Sequence, residues 1–153
     1  MKFRMVDRIV DWQPRRRITG VKAVSFEEYS LKSPWGGQAA LPESLLMESL
    51  FQLGNWLIVL SSGFTQMGLL VRIEEVQFHE PLGPGQSLRM DIEVASYRND
   101  GVVFNGVATA AGRPIASGRG CLATPVDLEG FYSPADLKVL FSEIHRPLEK
   151  GPA

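Results

Sequence analysis

The stretch ALPESLLMESLFQLGNWLIVL, from Ala40 to Leu60, decides the fold. Pro42 suits a first helical turn, and Glu43 lies near the positive end of the helix dipole. Leu45, Leu46, Leu50, Phe51, Leu53, Trp56, Leu57 and Leu60 then surround most of the helical circumference. A helix apolar nearly all round is wrapped by other structure. Yet Ser44, Glu48, Gln52 and Asn55 recur at helical spacing and form one polar stripe. Pattern alone reads such a stripe as a face turned to water or to a partner chain. A carboxylate kept inside the fold needs hydrogen bonds or a shifted pKa, and a catalytic acid needs the same.

Outward from this helix the chain is strand-like. Ile18 to Tyr29 (ITGVKAVSFEEY) alternates in part, as a half-buried strand does, and a loop punctuated by Pro34, Gly36, Gly37 and Pro42 follows. MGLLVRIEEVQFHEPL reads as strand and ends at the turn GPGQ. In SLRMDIEVASYR, Leu88, Met90, Ile92 and Val94 fall on one face and Arg89, Asp91 and Glu93 on the other. Asn99 to Gly101 closes a hairpin into VVFNGVATAA, and Gly112 to Pro114 closes another into IASGRGCLATPV. SPADLKVLFSEI predicts a short C-terminal helix at about 133–145, capped by Ser133 with Pro134 first in the helix. The fold class expected is α+β: an antiparallel sheet wrapped around one long central helix, in a single domain over residues 1–153.

Composition narrows the function. With 16 basic and 17 acidic residues the formal charge is -1, so no basic field exists to hold nucleic acid without sequence preference. The cluster Arg15-Arg16-Arg17 reads as a solvated turn. A lone cysteine, Cys121, forbids an internal disulfide and reads as a packed strand side chain. Two scattered histidines and one cysteine make no metal-ligand set, and no Gly-rich phosphate cradle opens a helix, so no cofactor is expected. The N-terminus lacks the pattern of a signal peptide, and Leu45 to Leu60 is short for a membrane span. The expectation is a soluble, cytoplasmic protein.

Four stretches resemble the hotdog-fold 3-hydroxyacyl-[acyl-carrier-protein] dehydratases of fatty acid synthesis. MVDRIVD (Met5 to Asp11) is similar to their Val-Asp-Arg-Val segment, and PESLLMESLFQ (Pro42 to Gln52) to their helix start, Pro-Gly-x-Leu-x-x-Glu-x-x-x-Gln. VQFHEPLGPGQSLRMDIEV (Val76 to Val94) resembles their Phe-x-x-Pro-x-x-Pro-Gly-Asp strand and turn. GVATAAGRPIASGRGCLA (Gly106 to Ala123) resembles their last hairpin. The resemblance implies a hotdog fold, a homodimer or higher homo-oligomer, and an acyl thioester of acyl carrier protein or coenzyme A bound at the dimer interface. It places Glu48 as the carboxylate that helps the C3 hydroxyl leave as water, and Gln52, Trp35 and Gly36 in substrate binding.

The chain departs from that pattern at one decisive point. The family's histidine stands eight residues before the helix proline, a position held here by Pro34, and Trp35 and Gly36 replace the Phe-Pro that follows it. Glu43 replaces the usual glycine after the helix proline. Proline has no titratable group to take the C2 proton. His79, on a predicted strand, and His145, at the end of the last helix, are the two imidazoles left. Three readings stay open: a dehydratase with another base, a thioesterase using Glu48 alone, and a non-catalytic acyl-binding or partner subunit.

Overall fold

Alternating apolar residues and tight turns build most of the molecule, whose computed structural model describes residues 3–27 and 37–149. In chain order these form β1 (Arg8–Gln13), β2 (Arg17–Ala23), α1 (Glu43–Ser61), β3 (Gln66–Arg72) and β4 (Glu75–Phe78). β5 (Ser87–Arg98), β6 (Gly101–Ala110), β7 (Arg113–Asp127) and α2 (Pro134–Ile144) complete them. The strands make one seven-stranded antiparallel sheet in the order β1-β2-β5-β6-β7-β3, with β4 also paired to β7.

The alternation in β5 has the expected consequence. Leu88, Met90 and Ile92 are buried on the inner face, while Arg89 and Glu93 are exposed outside. β5 and β6 pair up to Arg98 and Gly101, leaving Asn99 and Asp100 as the turn. β6 and β7 pair up to Ala110 and Arg113. The two residues between them, Ala111 (φ 49°) and Gly112 (φ 75°), both occupy the left-handed region, as a primed hairpin turn demands.

Three features differ from the sequence expectation. The N-terminal segment, read there only for its motif, supplies strand β1, which pairs with β2 across the turn that carries exposed Arg15 and Arg16. The strand expected over Ile18 to Tyr29 ends at Ala23, because its partner β5 begins at Ser87, opposite it. MGLLVRIEEVQFHEPL is two strands, broken at Ile73 and Glu74. β4 lies along the first half of β7 and β3 along the second. Between the halves, Gly120 takes φ 63°, and the Arg119 guanidinium holds Glu74 at 3.0 Å and Glu75 at 2.9 Å across the kink.

Pro42 is the N-cap of α1 and Glu43 its first residue. The sheet curls around the side of α1 that carries Leu46, Leu50, Leu53 and Leu57, each no more than 1% exposed. α1 meets β2, β3, β5, β6 and β7 at once. At 19 residues it is long and apolar enough to cross a membrane by length and composition, which corrects the expectation that the stretch is short. More than half of its apolar window is nevertheless buried inside the fold. Close approach is possible because Gly54 lies under the ring of Phe104.

Ser133 caps α2, its hydroxyl accepting from the Asp136 N–H at 3.3 Å, and Pro134 opens the helix as expected. Phe141 of α2 joins Trp12, Trp56 and Phe64, with ring centroids 6.0–6.3 Å apart, and stacks on His145 at 4.7 Å. The chain then runs beside β1. Arg146 donates its N–H to the Ile9 carbonyl at 3.0 Å, and the Arg8 guanidinium donates to the Arg146 carbonyl at 2.7 Å.

Candidate active site

Residues two apart on a helix lie about 200° apart around its axis, so the faces of α1 separate cleanly. Leu46, Leu50, Leu53 and Leu57 face the sheet. Glu48, Gln52 and Asn55, with Leu45 and Trp56, lie half-buried on the opposite side. The polar stripe therefore runs along the side of the helix opposite these leucines. Asn55 is structural: its Oδ1 accepts the N–H of Gly68 at 2.8 Å and ties α1 to β3.

Glu48 and Gln52 form a connected pair. The Gln52 amide donates to Glu48 Oε1 at 2.8 Å. Its second N–H donates to the Phe3 carbonyl at 3.0 Å, and its oxygen accepts the Met5 N–H at 2.8 Å. A backbone N–H can only donate, so Met5 fixes which end of the amide is oxygen and turns the NH2 toward Glu48. Among the described residues, Glu48 Oε2 takes no hydrogen bond.

A second feature lies at the start of α1. A cleft of about 390 Å³ is lined there by Ala40 to Glu43, Leu46 and Phe78 to Pro81, with His79 among them. His79 ends β4, where its own N–H donates to the Ile115 carbonyl at 2.9 Å. Glu80 is paired with Arg113 at 3.3 Å. The cleft opens beside Leu46, on the side of the helix away from Glu48. One chain thus presents a carboxylate and an imidazole-lined cleft on opposite sides of its central helix.

The remaining sequence candidates divide. Pro34, Trp35, Gly36 and Tyr29 lie outside the described residues. His145 is stacked on Phe141 at the far end of the fold. Cys121 is buried, and that burial pushes its thiol up to about 11, which makes it a poor nucleophile. Among the described residues no group of three or more His, Cys, Asp or Glu side chains gathers closely enough to hold a metal ion. Sequence reading missed the Phe3–Met5 backbone as part of the site. No spacing rule reports a bond between a side chain and a main chain 47 residues away.

A family model described as a FabA-like domain matches residues 1–119. The chain belongs to that family. The FabA-like match covers β1 to the first half of β7, including α1 with Glu48 and Gln52, and stops short of α2. The 3-hydroxyacyl-[acyl-carrier-protein] dehydratase FabZ of Syntrophotalea carbinolica is 31% identical over 116 residues, spanning 74% of this chain and 79% of that one. Among solved structures, smu.793 from Streptococcus mutans bound to acetyl CoA superposes with a TM-score of 0.65 at 12% identity, over 83% of this chain and 93% of that one. The dehydratase heterocomplex ApeI:P from Xenorhabdus doucetiae gives a TM-score of 0.56 at 15% identity, over 75% of this chain and 91% of that one. The FabA-like chain has the hotdog fold that its motifs imply, with the antiparallel sheet packed on α1.

Proposed function

We propose that this chain acts on 3-hydroxyacyl thioesters, with Glu48 as the acid that protonates the departing C3 hydroxyl. The observation that carries this reading is the Glu48 carboxylate itself. It sits half-buried on the side of the central helix opposite the leucines that face the sheet, with one oxygen held by Gln52 at 2.8 Å and the other unbonded among the described residues. The FabZ relatives, named as dehydratases of 3-hydroxyacyl-[acyl-carrier-protein], support the substrate class. In the reaction a base removes the C2 proton and its electrons form the C2=C3 double bond. The C3–O bond breaks, and water leaves with the proton from Glu48.

The base comes from a second chain. The cleft bearing His79 and the Glu48 carboxylate lie on opposite sides of α1, so a site that uses both draws on two copies. Exposed Leu69, Leu70 and Val71 of β3 and Phe78 of β4 supply an apolar flank for such a pairing. His79 fills the role left by Pro34 in a homodimer. A second reading is favoured by Pro34: the partner is a histidine-bearing relative, and this chain contributes the carboxylate half alone. The heterocomplex of dehydratases with this fold lends that reading support.

The test uses the purified protein with 3-hydroxyacyl and 2-enoyl thioesters, on carrier protein and on coenzyme A, followed by mass spectrometry. Gain or loss of water, abolished in Glu48→Gln while the protein stays folded, is the expected result. Loss in His79→Gln as well assigns the base to this chain. An inert wild type that becomes active only with a histidine-bearing homologue assigns the base to the partner. Release of free thiol would make the chain a thioesterase, and Glu48→Gln turning over like wild type would overturn the role of Glu48.

A further inference from the structure

We infer that Gln52 is a positioning residue rather than a substrate ligand, and that the N-terminal segment Phe3–Met5 is the strap that sets it. The inference rests on the proposed role of Glu48 and concerns how that carboxylate is held.

A glutamine amide has two N–H donors and one acceptor oxygen. In Gln52 both donors are engaged, one by Glu48 Oε1 at 2.8 Å and one by the Phe3 carbonyl at 3.0 Å. The oxygen accepts from Met5 at 2.8 Å. No donor remains for a thioester carbonyl or a substrate hydroxyl. The arrangement is also directional: the Met5 N–H admits only the amide oxygen, so the NH2 points at Glu48. Glu48 in turn is gripped through Oε1, which leaves Oε2 to face the reacting group. The side chains flanking this strap anchor it, since Met5 and Val6 are buried at 4% and 3% exposure. A free Glu side chain samples several rotamers, and each productive encounter would need it to find one. The chain from strap to amide to carboxylate removes that search, as preorganised sites do.

With both donors engaged, the Gln52 side-chain amide protons, assigned by their loss in Gln52→Leu, are expected to exchange slowly with water, and one of them to exchange faster in Glu48→Ala. In turnover Gln52→Leu is expected to lower kcat at least tenfold with KM within twofold. Gln52→Glu keeps the length and the acceptor for Met5 but sets a second carboxylate against Glu48. It is expected to lower kcat as Gln52→Leu does, because the grip on Glu48 Oε1 is lost, and it serves if Gln52→Leu does not fold. Fast-exchanging Gln52 side-chain protons in the wild type, a wild-type kcat in Gln52→Glu, or a KM rise of tenfold at constant kcat would overturn the inference. The exchange measurement needs no activity, so a failure of the strap is distinguishable from a failure of the proposed reaction.

Discussion

Replacing Gly54 with alanine sets two effects against each other. In a helix interior, alanine is favoured over glycine by about 1 kcal/mol, so propensity alone forecasts a more stable protein. The packing forecasts the opposite. A methyl group at Gly54 would lie 2.5 Å from Phe104 Cζ, 2.7 Å from Cε2 and 3.0 Å from Cε1, so three ring atoms must give way together. Phe104 is 3% exposed, and β5 and β7 flank its strand on either side, so the ring cannot swing into water. Overpacking of this kind costs about 1–3 kcal/mol, and three contacts at once place Gly54→Ala in the upper half of that range. The net expectation is a loss of roughly 1–2 kcal/mol. Urea unfolding followed by tryptophan fluorescence should show a midpoint lower by about 0.5–1 M at unchanged slope. The double variant Gly54→Ala/Phe104→Leu should recover part of the loss, because the smaller side chain vacates the contested space. A Gly54→Ala protein as stable as wild type, or a double variant no better than the sum of its parts, would refute the argument.

Two further outcomes follow from the turn and the core. Ala111 holds a left-handed conformation that costs an alanine about 1 kcal/mol or more, whereas asparagine adopts it readily, so Ala111→Asn should stabilise the β6–β7 hairpin by about 1 kcal/mol in the same urea assay. Burial holds the Cys121 thiol protonated to about 11, above its ordinary 9.0, so folding favours the protonated form. The stability linked to it is complete below pH 9 and is lost as pH rises toward 11. Wild type should lose stability more steeply than Cys121→Ala across that window, and equal slopes would contradict it.

The central helix and the meander of β5, β6 and β7 are legible in the sequence because their signals are local. Leucines at helical spacing and clean alternation between turns need no knowledge of distant residues. β1 escaped because MVDRIVDW is too short and mixed for periodicity, and only pairing with β2 makes it a strand. The break between β3 and β4 escaped because it depends on a kink in β7, some 45 residues away in sequence at Arg119 and Gly120. At the site, the spacing of Glu48 and Gln52 put them on one face of the helix, where they meet. It could not foretell that Gln52 spends its other bonds on Phe3 and Met5, since the helix does not record what crosses it. His79 was one strand histidine of two scattered imidazoles. The turn of the chain after β4 brings it beside Pro42 and Leu46, which no local pattern reports.

The segment that follows α2 lies against β1 and takes up hydrogen bonds along it through Arg146 and Arg8. Counted as a building block, the sheet then has one flank occupied by the segment after α2 and one flank, along β3, with no strand neighbour among the described residues. A unit with two free flanks can add copies at both ends and grow into a fibre. A unit with one can add a single neighbour, and the pair then has nothing left to offer. The segment after α2 thus occupies backbone groups of β1 that an incoming strand would need, and it acts as a stopper on growth from that flank.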